Sequence, residues 1–525
     1  MTAQRRLCAA LAVTVCAAAL ATARPAAPAD AQPAPPPPGW QDSPYMPDEA
    51  AAVAGKEYGN SSNYTTFFQH CAQLGLSWAY VFVTWSDLET QSGSIDLSAL
   101  DGMIETAHAN GVHLMMQVQT MGDWDLPGPA QTAAKGLRRT NSSNGPFVTA
   151  WPYAAPGMNI DASIPFWKTL VSRYAPSGTL AREQGWSDGY GVSYYEVENE
   201  PDFFPWVDGN WEYFSKDYAL YLSHLKPALT AIDPSVRLVA PAISSGPDSN
   251  PSNDQGIYFL DSLLSTSPST LLFGSDQYDA TVAAGAPILG GGPYIDVYSF
   301  HQDLANPTTT YPHDRALAVR SEVQTYSTQA TYPSNASAPI WSSEGSANEY
   351  SGSTSTSTQY AWAEEQLALD DFAAGVQRMN WDLGTDGQNS GVDLRTEAIG
   401  KATMAMDTYF PTAQGVTDIS ASLTASAGQT MAAYSWTNPQ TNLRSVALWA
   451  QDFAQGSGSS APAFTVDVPV STPYATVVGS DWSTVTVAAT NGSVPVQVSR
   501  GDPSPVVMVI EQKAAPHLHV RTQAS

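Results

Sequence analysis

From about residue 65 to 405 the chain alternates short apolar runs with longer stretches in which apolar residues recur every three or four positions. Short runs bounded by polar turn residues mark strands buried on both faces. The three-to-four spacing marks helices that lay one face on a core. The runs predict strands over 76–83, 112–118, 192–197, 236–240, 295–300, 339–343 and 376–381. The periodic stretches predict helices over 65–74, 98–110, 161–174, 213–231, 314–327 and 358–374, the second of them capped by Ser98 and ended by Gly111. Strand–helix alternation of this kind builds a parallel sheet clothed in helices. Seven strands are one short of a closed (β/α)8 barrel, and the missing one is expected near Ala52 to Tyr58. An open doubly wound sheet is the structural alternative, but no Gly-rich phosphate loop speaks for it.

Beyond residue 412 the pattern changes. Runs over 431–436, 445–449, 463–468, 476–478, 484–487 and 506–510, separated by Gly, Asn, Ser and Pro, predict an antiparallel β-sandwich. Its apolar face needs a partner layer, so it is expected to pack on the barrel. The expected fold class is therefore α/β, a (β/α)8 TIM barrel over 40–410 followed by a C-terminal antiparallel β-sandwich over 411–512, with a disordered tail over 513–525.

Two further regions bear on location. Arg5 and Arg6 precede an apolar stretch from Leu7 to Leu20 that is too short to span a bilayer, and Ala21-Thr22-Ala23 and Ala29-Asp30-Ala31 fit small-residue cleavage sites. Residues 1–31 thus read as a signal peptide and the protein as secreted, without a membrane anchor. The Ala- and Pro-rich residues that follow, 32–39 in the mature chain, read as an extended linker. Of the three cysteines, Cys8 and Cys16 leave with the signal. Cys71 lies in a helical pattern and is expected in the core. Asn60, Asn63, Asn141, Asn335 and Asn491 each begin an N-x-S/T sequon.

The formal net charge of −27 disfavours nucleic acid and anionic membranes as partners, since both repel an acidic surface. No HExxH and no paired CxxC occurs, so no metal site and no cofactor is expected. The 15 Trp and 24 Tyr supply flat apolar faces of the kind on which sugar rings stack.

The chemistry is concentrated at two strand ends, the place where a barrel assembles its active face. Glu196-Val197-Glu198-Asn199-Glu200-Pro201-Asp202 follows one predicted strand and Ser342-Ser343-Glu344-Gly345 another. Breaking a glycosidic bond requires one protonated carboxyl to supply a proton and a second carboxylate to attack or to activate water. Within a regular strand 196, 198 and 200 would share one face. Glu198 is accordingly expected to raise the proton affinity of Glu200, with a structural hydrogen bond away from the site as the rival reading.

These motifs resemble those of clan A glycoside hydrolases. Tyr195-Glu196-Val197-Glu198-Asn199-Glu200-Pro201-Asp202 is most similar to the Phe-Glu-Val-Trp-Asn-Glu-Pro-Asn of family 39, which includes β-xylosidases and α-L-iduronidases. The second-strand segment, Leu74-Gly75-Leu76 through Trp85-Ser86-Asp87-Leu88-Glu89, and the C-terminal sandwich also fit. The resemblance implies a retaining enzyme acting on an oligo- or polysaccharide, with Glu200 as acid/base and Glu344 as nucleophile. It implies that Asn199 donates to the sugar 2-hydroxyl, that His301 lines the site, and that Trp381 floors the subsite of the reacting sugar. Trp85, Trp124 and Trp206, with Asp87, Asp123 and Trp211, are candidates for outer subsites. The chain departs from the clan at Tyr80, where many members carry Arg, at Asp303, where a Tyr is frequent, and at Glu198, which replaces an aromatic residue. A non-catalytic polysaccharide-binding protein on a retained barrel is the alternative function.

Overall fold

The computed structural model describes residues 43–47, 61–91, 93–120, 139–141, 145–147, 161–202, 215–243, 255–267, 288–301, 312–345, 357–383, 391–425, 429–451, 463–500 and 503–513. Eight parallel strands follow one another around a single sheet: β1 (Tyr45–Met46), β2 (Trp78–Thr84), β3 (His113–Gln119), β4 (Tyr194–Val197), β5 (Arg237–Ile243), β6 (Val297–His301), β7 (Ile340–Glu344) and β8 (Arg378–Asn380). From β2 to β8 each pairs with its neighbour in chain order, and β8 returns to β1. The Tyr80 N–H donates to the Pro47 carbonyl at 2.8 Å and brings β1 against β2, which closes the barrel.

Among the described residues one helix of ten or more residues follows each strand: α1 (Ser61–Leu74), α2 (Ser98–Ala109), α3 (Ile164–Tyr174), α4 (Ser215–Thr230), α5 (Gln255–Leu264), α6 (Pro312–Tyr326), α7 (Ser357–Ala373) and α8 (Ala398–Tyr409). The join from α1 to β2 illustrates how sequence sets these connections. Gly75 takes φ +80°, a conformation that costs glycine little, so that the Leu76 N–H can bond the Cys71 carbonyl at 2.9 Å and stop the helix. Cys71 itself is buried, as its helical pattern predicts.

The first strand lies before the expected Ala52 to Tyr58, which fall outside the described residues. The barrel is complete with Tyr45–Met46, two residues set between Pro44 and Pro47, too short for any alternation to be read. Two helices also go beyond the sequence reading. The α5 helix is short and sits in a Ser/Pro/Gly-rich stretch, and α8 follows the last predicted strand.

Side-chain alternation divides every strand between the helix layer and the interior. Met46, Trp78, Tyr80, Met115, Val239, Val297 and Trp341 fill the lower barrel. The Arg378 guanidinium lies 3.9 Å from the Trp78 ring centroid and 4.9 Å from that of Trp341, which gives this buried cation two aromatic faces. Two positions further along the strands the interior becomes polar, with Gln117, Glu196, Ser299, Ser343 and Asn380. The apolar layer thus floors a polar one at the C-terminal ends of the strands.

The C-terminal unit is antiparallel. A six-stranded sheet comprises β9 (Thr417–Asp418), β10 (Met431–Thr437), β11 (Arg444–Ala450), β13 (Tyr474–Val478), β14 (Thr484–Ala488) and β16 (Val507–Gln512), in the order β9-β10-β11-β16-β13-β14. A ribbon of β12 (Phe464–Pro469) and β15 (Ser493–Val498) covers one face of it. Pro495 hides β15 from sequence reading; a ribbon edge tolerates it because no ladder bond depends on its missing N–H. The other face of the six-stranded sheet, carrying Tyr434, Trp436, Trp449, Met508 and Ile510, merges with the core under the barrel helices. The Trp482 indole donates to Glu365 on α7 at 2.7 Å, the Trp362 indole donates to the Ser480 carbonyl at 2.8 Å, and Tyr434 bonds Asp370. The sandwich therefore packs on the barrel, as its one-sided pattern requires. Among the described residues no helix is long and apolar enough to cross a membrane.

Candidate active site

The strand β4 points Tyr194 and Glu196 inward and packs Tyr195 and Val197 against the helix layer. Past Val197 the backbone leaves the regular strand. Glu198 and Glu200 both take positive φ, 61° and 42°. Each such residue costs on the order of 1–2 kcal/mol, so the surroundings must hold the turn. They do so through β3. The Glu198 N–H donates to the Val118 carbonyl at 3.1 Å, and the Glu198 carboxylate accepts from the Thr120 backbone N–H at 3.1 Å and from the Thr120 hydroxyl. Burial pushes the Glu198 carboxyl up to about 8, against the lowering by Thr120. Glu198 is thus turned toward Thr120 at the end of β3. The expected action on Glu200 gives way to the rival structural role, because the left-handed residue breaks the two-residue alternation on which that expectation rested.

Gln117 ties the polar layer together. It stands opposite Glu196 in the β3–β4 register, and its amide donates to Glu196 at 3.0 Å and to the Asn199 side-chain carbonyl at 2.9 Å. Asn199 is held by its oxygen end, which commits its NH2 end to donation. Glu200 then emerges with its side chain 18% exposed, and accepts from Nδ1 of His301 at 2.9 Å.

The strands β6 and β7 bring the second carboxylate to the same ring. His301 and Glu344 are register partners, reached after a bulge between Phe300 and His301. The His301 Nδ1 lies 3.6 Å from an oxygen of Glu344, whose side chain is 43% exposed. One buried nitrogen therefore addresses both carboxylates that the sequence singles out. Burial opposes charge on the His301 ring, but Glu344, Glu200 and Glu196 outweigh it and lift its pKa to about 10. Below it, burial raises the Glu196 carboxyl, offset by the His301 charge, the hydroxyls of Ser343 and Ser299, and the Gln117 amide.

Two aromatic assignments are corrected. Asn380 takes the inward position at the end of β8, with its amide on the Ser343 carbonyl at 3.3 Å, so Trp381 falls on the outer side. There it is fully buried, donates to the Thr403 hydroxyl of α8 at 2.9 Å and packs edge-on against Tyr45. Trp85 opens a single helical turn, bonds Glu89 at 2.6 Å and stacks on Phe166 of α3, 5.3 Å between centroids. Trp381 therefore does not floor the site, and Trp85, buried against Phe166, offers no open face for an outer subsite. Trp124, Trp206, Trp211, Asp123 and Asp303 lie outside the described residues. Among the described residues no group of three or more His, Cys, Asp and Glu is placed to hold a metal ion. Gln117, Glu196 and Thr120 are the site residues that sequence reasoning missed. A Gln between Met116 and Val118 in a buried strand was the one available signal, since an uncharged polar side chain in such a run needs a partner.

No protein-family model matches the sequence, and no curated protein matches it. Solved structures do. A family 39 glycoside hydrolase from the gut symbiont Bacteroides cellulosilyticus WH2 superposes with a TM-score of 0.50 at 11% identity, over 86% of this chain and 79% of that one. A glucosidase from Croceicoccus marinus gives 0.48 at 12% identity, over 90% and 96%. A family 51 α-L-arabinofuranosidase from Bifidobacterium longum gives 0.48 at 10%, over 89% and 92%. At such identities the likeness concerns architecture, and the first of these shares with the present chain the barrel-and-sandwich fold that the hydropathy pattern predicts.

Proposed function

We propose that this chain is a retaining glycoside hydrolase, with Glu200 as acid/base and Glu344 as nucleophile. The observation that carries the reading is the convergence of these two carboxylates, from strands four and seven, on the single Nδ1 of His301 at 2.9 and 3.6 Å. Those two distances together cap the separation of the facing oxygens. The cap sits at the lower edge of the roughly 6.5–9.5 Å of inverting pairs and accommodates the about 5–5.5 Å of retaining pairs. In the first step the Glu344 oxygen bonds the anomeric carbon as the glycosidic C–O bond breaks, and the Glu200 proton passes to the leaving oxygen. In the second, water deprotonated by Glu200 releases the sugar from Glu344. In this reading Asn199, held by Gln117, donates to the sugar. The fold likeness to a family 39 glycoside hydrolase supports the same reading, and the N-terminal pattern supports action outside the cell on an oligo- or polysaccharide.

The test is a panel of activated 2-fluoro glycosides, with intact-mass and peptide-level detection. A glycosyl adduct on Glu344 is expected with one sugar of the panel, lost in Glu344→Gln. Adduct-free protein with every sugar, together with no hydrolysis of a glycan panel, would favour the alternative of a binding protein on a retained barrel.

A further inference from the structure

The pair of carboxylates does not account for everything beneath it. Glu196 is fully buried one layer below, on the interior face of β4. Its Oε1 and the Nε2 of His301 are both buried, and neither finds a hydrogen-bond partner among the described residues. One is an acceptor and the other can be a donor, and each is the other's electrostatic neighbour. Burying two such atoms unpaired is costly, whereas a water-bridged N–H to carboxylate contact satisfies both. With Nδ1–H already given to Glu200, a proton on Nε2 makes the ring an imidazolium.

We propose that Glu196 is a positioning residue that holds His301 as a two-proton donor, a fixed cation between the acid/base and the nucleophile. This rests on the reading of Glu200 and Glu344 given above. In that reaction one negative charge changes hands. It resides on Glu344 before the sugar is attached and on Glu200 once the proton has left and Glu344 is an ester. His301 Nδ1 lies within 3.6 Å of both. A permanent cation there faces one carboxylate charge at each stage, and no proton of its own need move. Glu196 adds, behind Glu344 and Glu200, to the counter-charge that keeps the ring cationic in a buried setting. The groups facing the ring are Glu344 from β7, Glu200 and Glu196 from β4. Those facing Glu196 besides the ring are the neutral Gln117, Ser299, Ser343 and Tyr218.

The full chain labelled with [15N]histidine tests this without substrate, His301 being assigned by the signal lost in His301→Gln. Both ring nitrogens of His301 are expected to be protonated at pH 8, where an ordinary histidine with a pKa of about 6.5 is neutral. Glu196→Gln is expected to move the titration midpoint down by about one pH unit or more. Glu196→Asp serves the same comparison if the amide does not fold. A singly protonated ring at pH 8 in the unaltered protein, or an unmoved midpoint in a folded variant, overturns the proposal. Because the readout needs no hydrolysis, a doubly protonated ring in a protein that cleaves no glycan would remove the functional reading and leave the charge arrangement standing.

Discussion

Glu198 shows how much a single backbone angle decides. In the extended conformation its carboxylate would stand beside Glu200; at φ 61° it reaches Thr120 instead. Its pKa of about 8 keeps it largely protonated at neutral pH, so an amide is a close mimic of the form present. Glu198→Gln is therefore expected to leave the alkaline limb of the pH–rate profile within about 0.3 units of its original position, since a group not facing Glu200 has little Coulombic hold on it. A shift of a full unit on the best substrate of the glycan panel would restore the direct role. The two catalytic candidates were legible because chemistry places them where a strand ends, a position that periodicity marks. Their supports were not, because Gln117 meets Glu196 only through cross-strand register, and His301 meets Glu344 the same way. Trp381 was misplaced by one position, which in a strand is the difference between the interior and the helix layer.

At the scale of elements, strands long enough to show a run were readable. Tyr45–Met46 was not, since two residues between prolines have no period, and Ser493–Val498 was masked by Pro495. The helix α7 joins both halves of the molecule and carries the seam. Burial there pushes Glu365 up to about 8, against the lowering by the Trp482 indole. The unfolded chain releases this proton near pH 4.5, whereas the folded chain retains it to about 8, so the folded state binds more protons in between and stability falls as pH rises through that window. Glu365→Gln cannot ionise but still accepts from Trp482. Thermal melts should show the variant gaining on the parent between pH 5 and pH 8, by about 3 °C or more in Tm. A constant difference across that range would mean that Glu365 ionises in the folded protein as readily as in the unfolded chain.

Across the whole molecule the core is shared. The outer face of the six-stranded sheet and the barrel helices form one apolar cluster, stitched by Trp482, Trp362 and Tyr434. Neither unit can leave without exposing that surface, at about 25 cal/mol per Å² of apolar area. Calorimetry of the full chain is expected to give one transition, with a calorimetric to van't Hoff enthalpy ratio near one. Two resolved peaks would show that the units unfold independently.

The closure of the barrel has a mechanical consequence. The joint between β1 and β2 involves the shortest barrel strand and the Tyr80 to Pro47 bond, whereas β2 and β3 are zipped along seven registered positions. Thermal breathing concentrates where backbone bonds are fewest. That weak joint lies across the circle from the space between β5 and β6. The arc β4-β5-β6-β7, which carries Glu196, Glu200, His301 and Glu344, runs uninterrupted through paired strands. The barrel can flex at its join like a ring with a slot cut opposite its setting, leaving the spacing of the two carboxylates undisturbed.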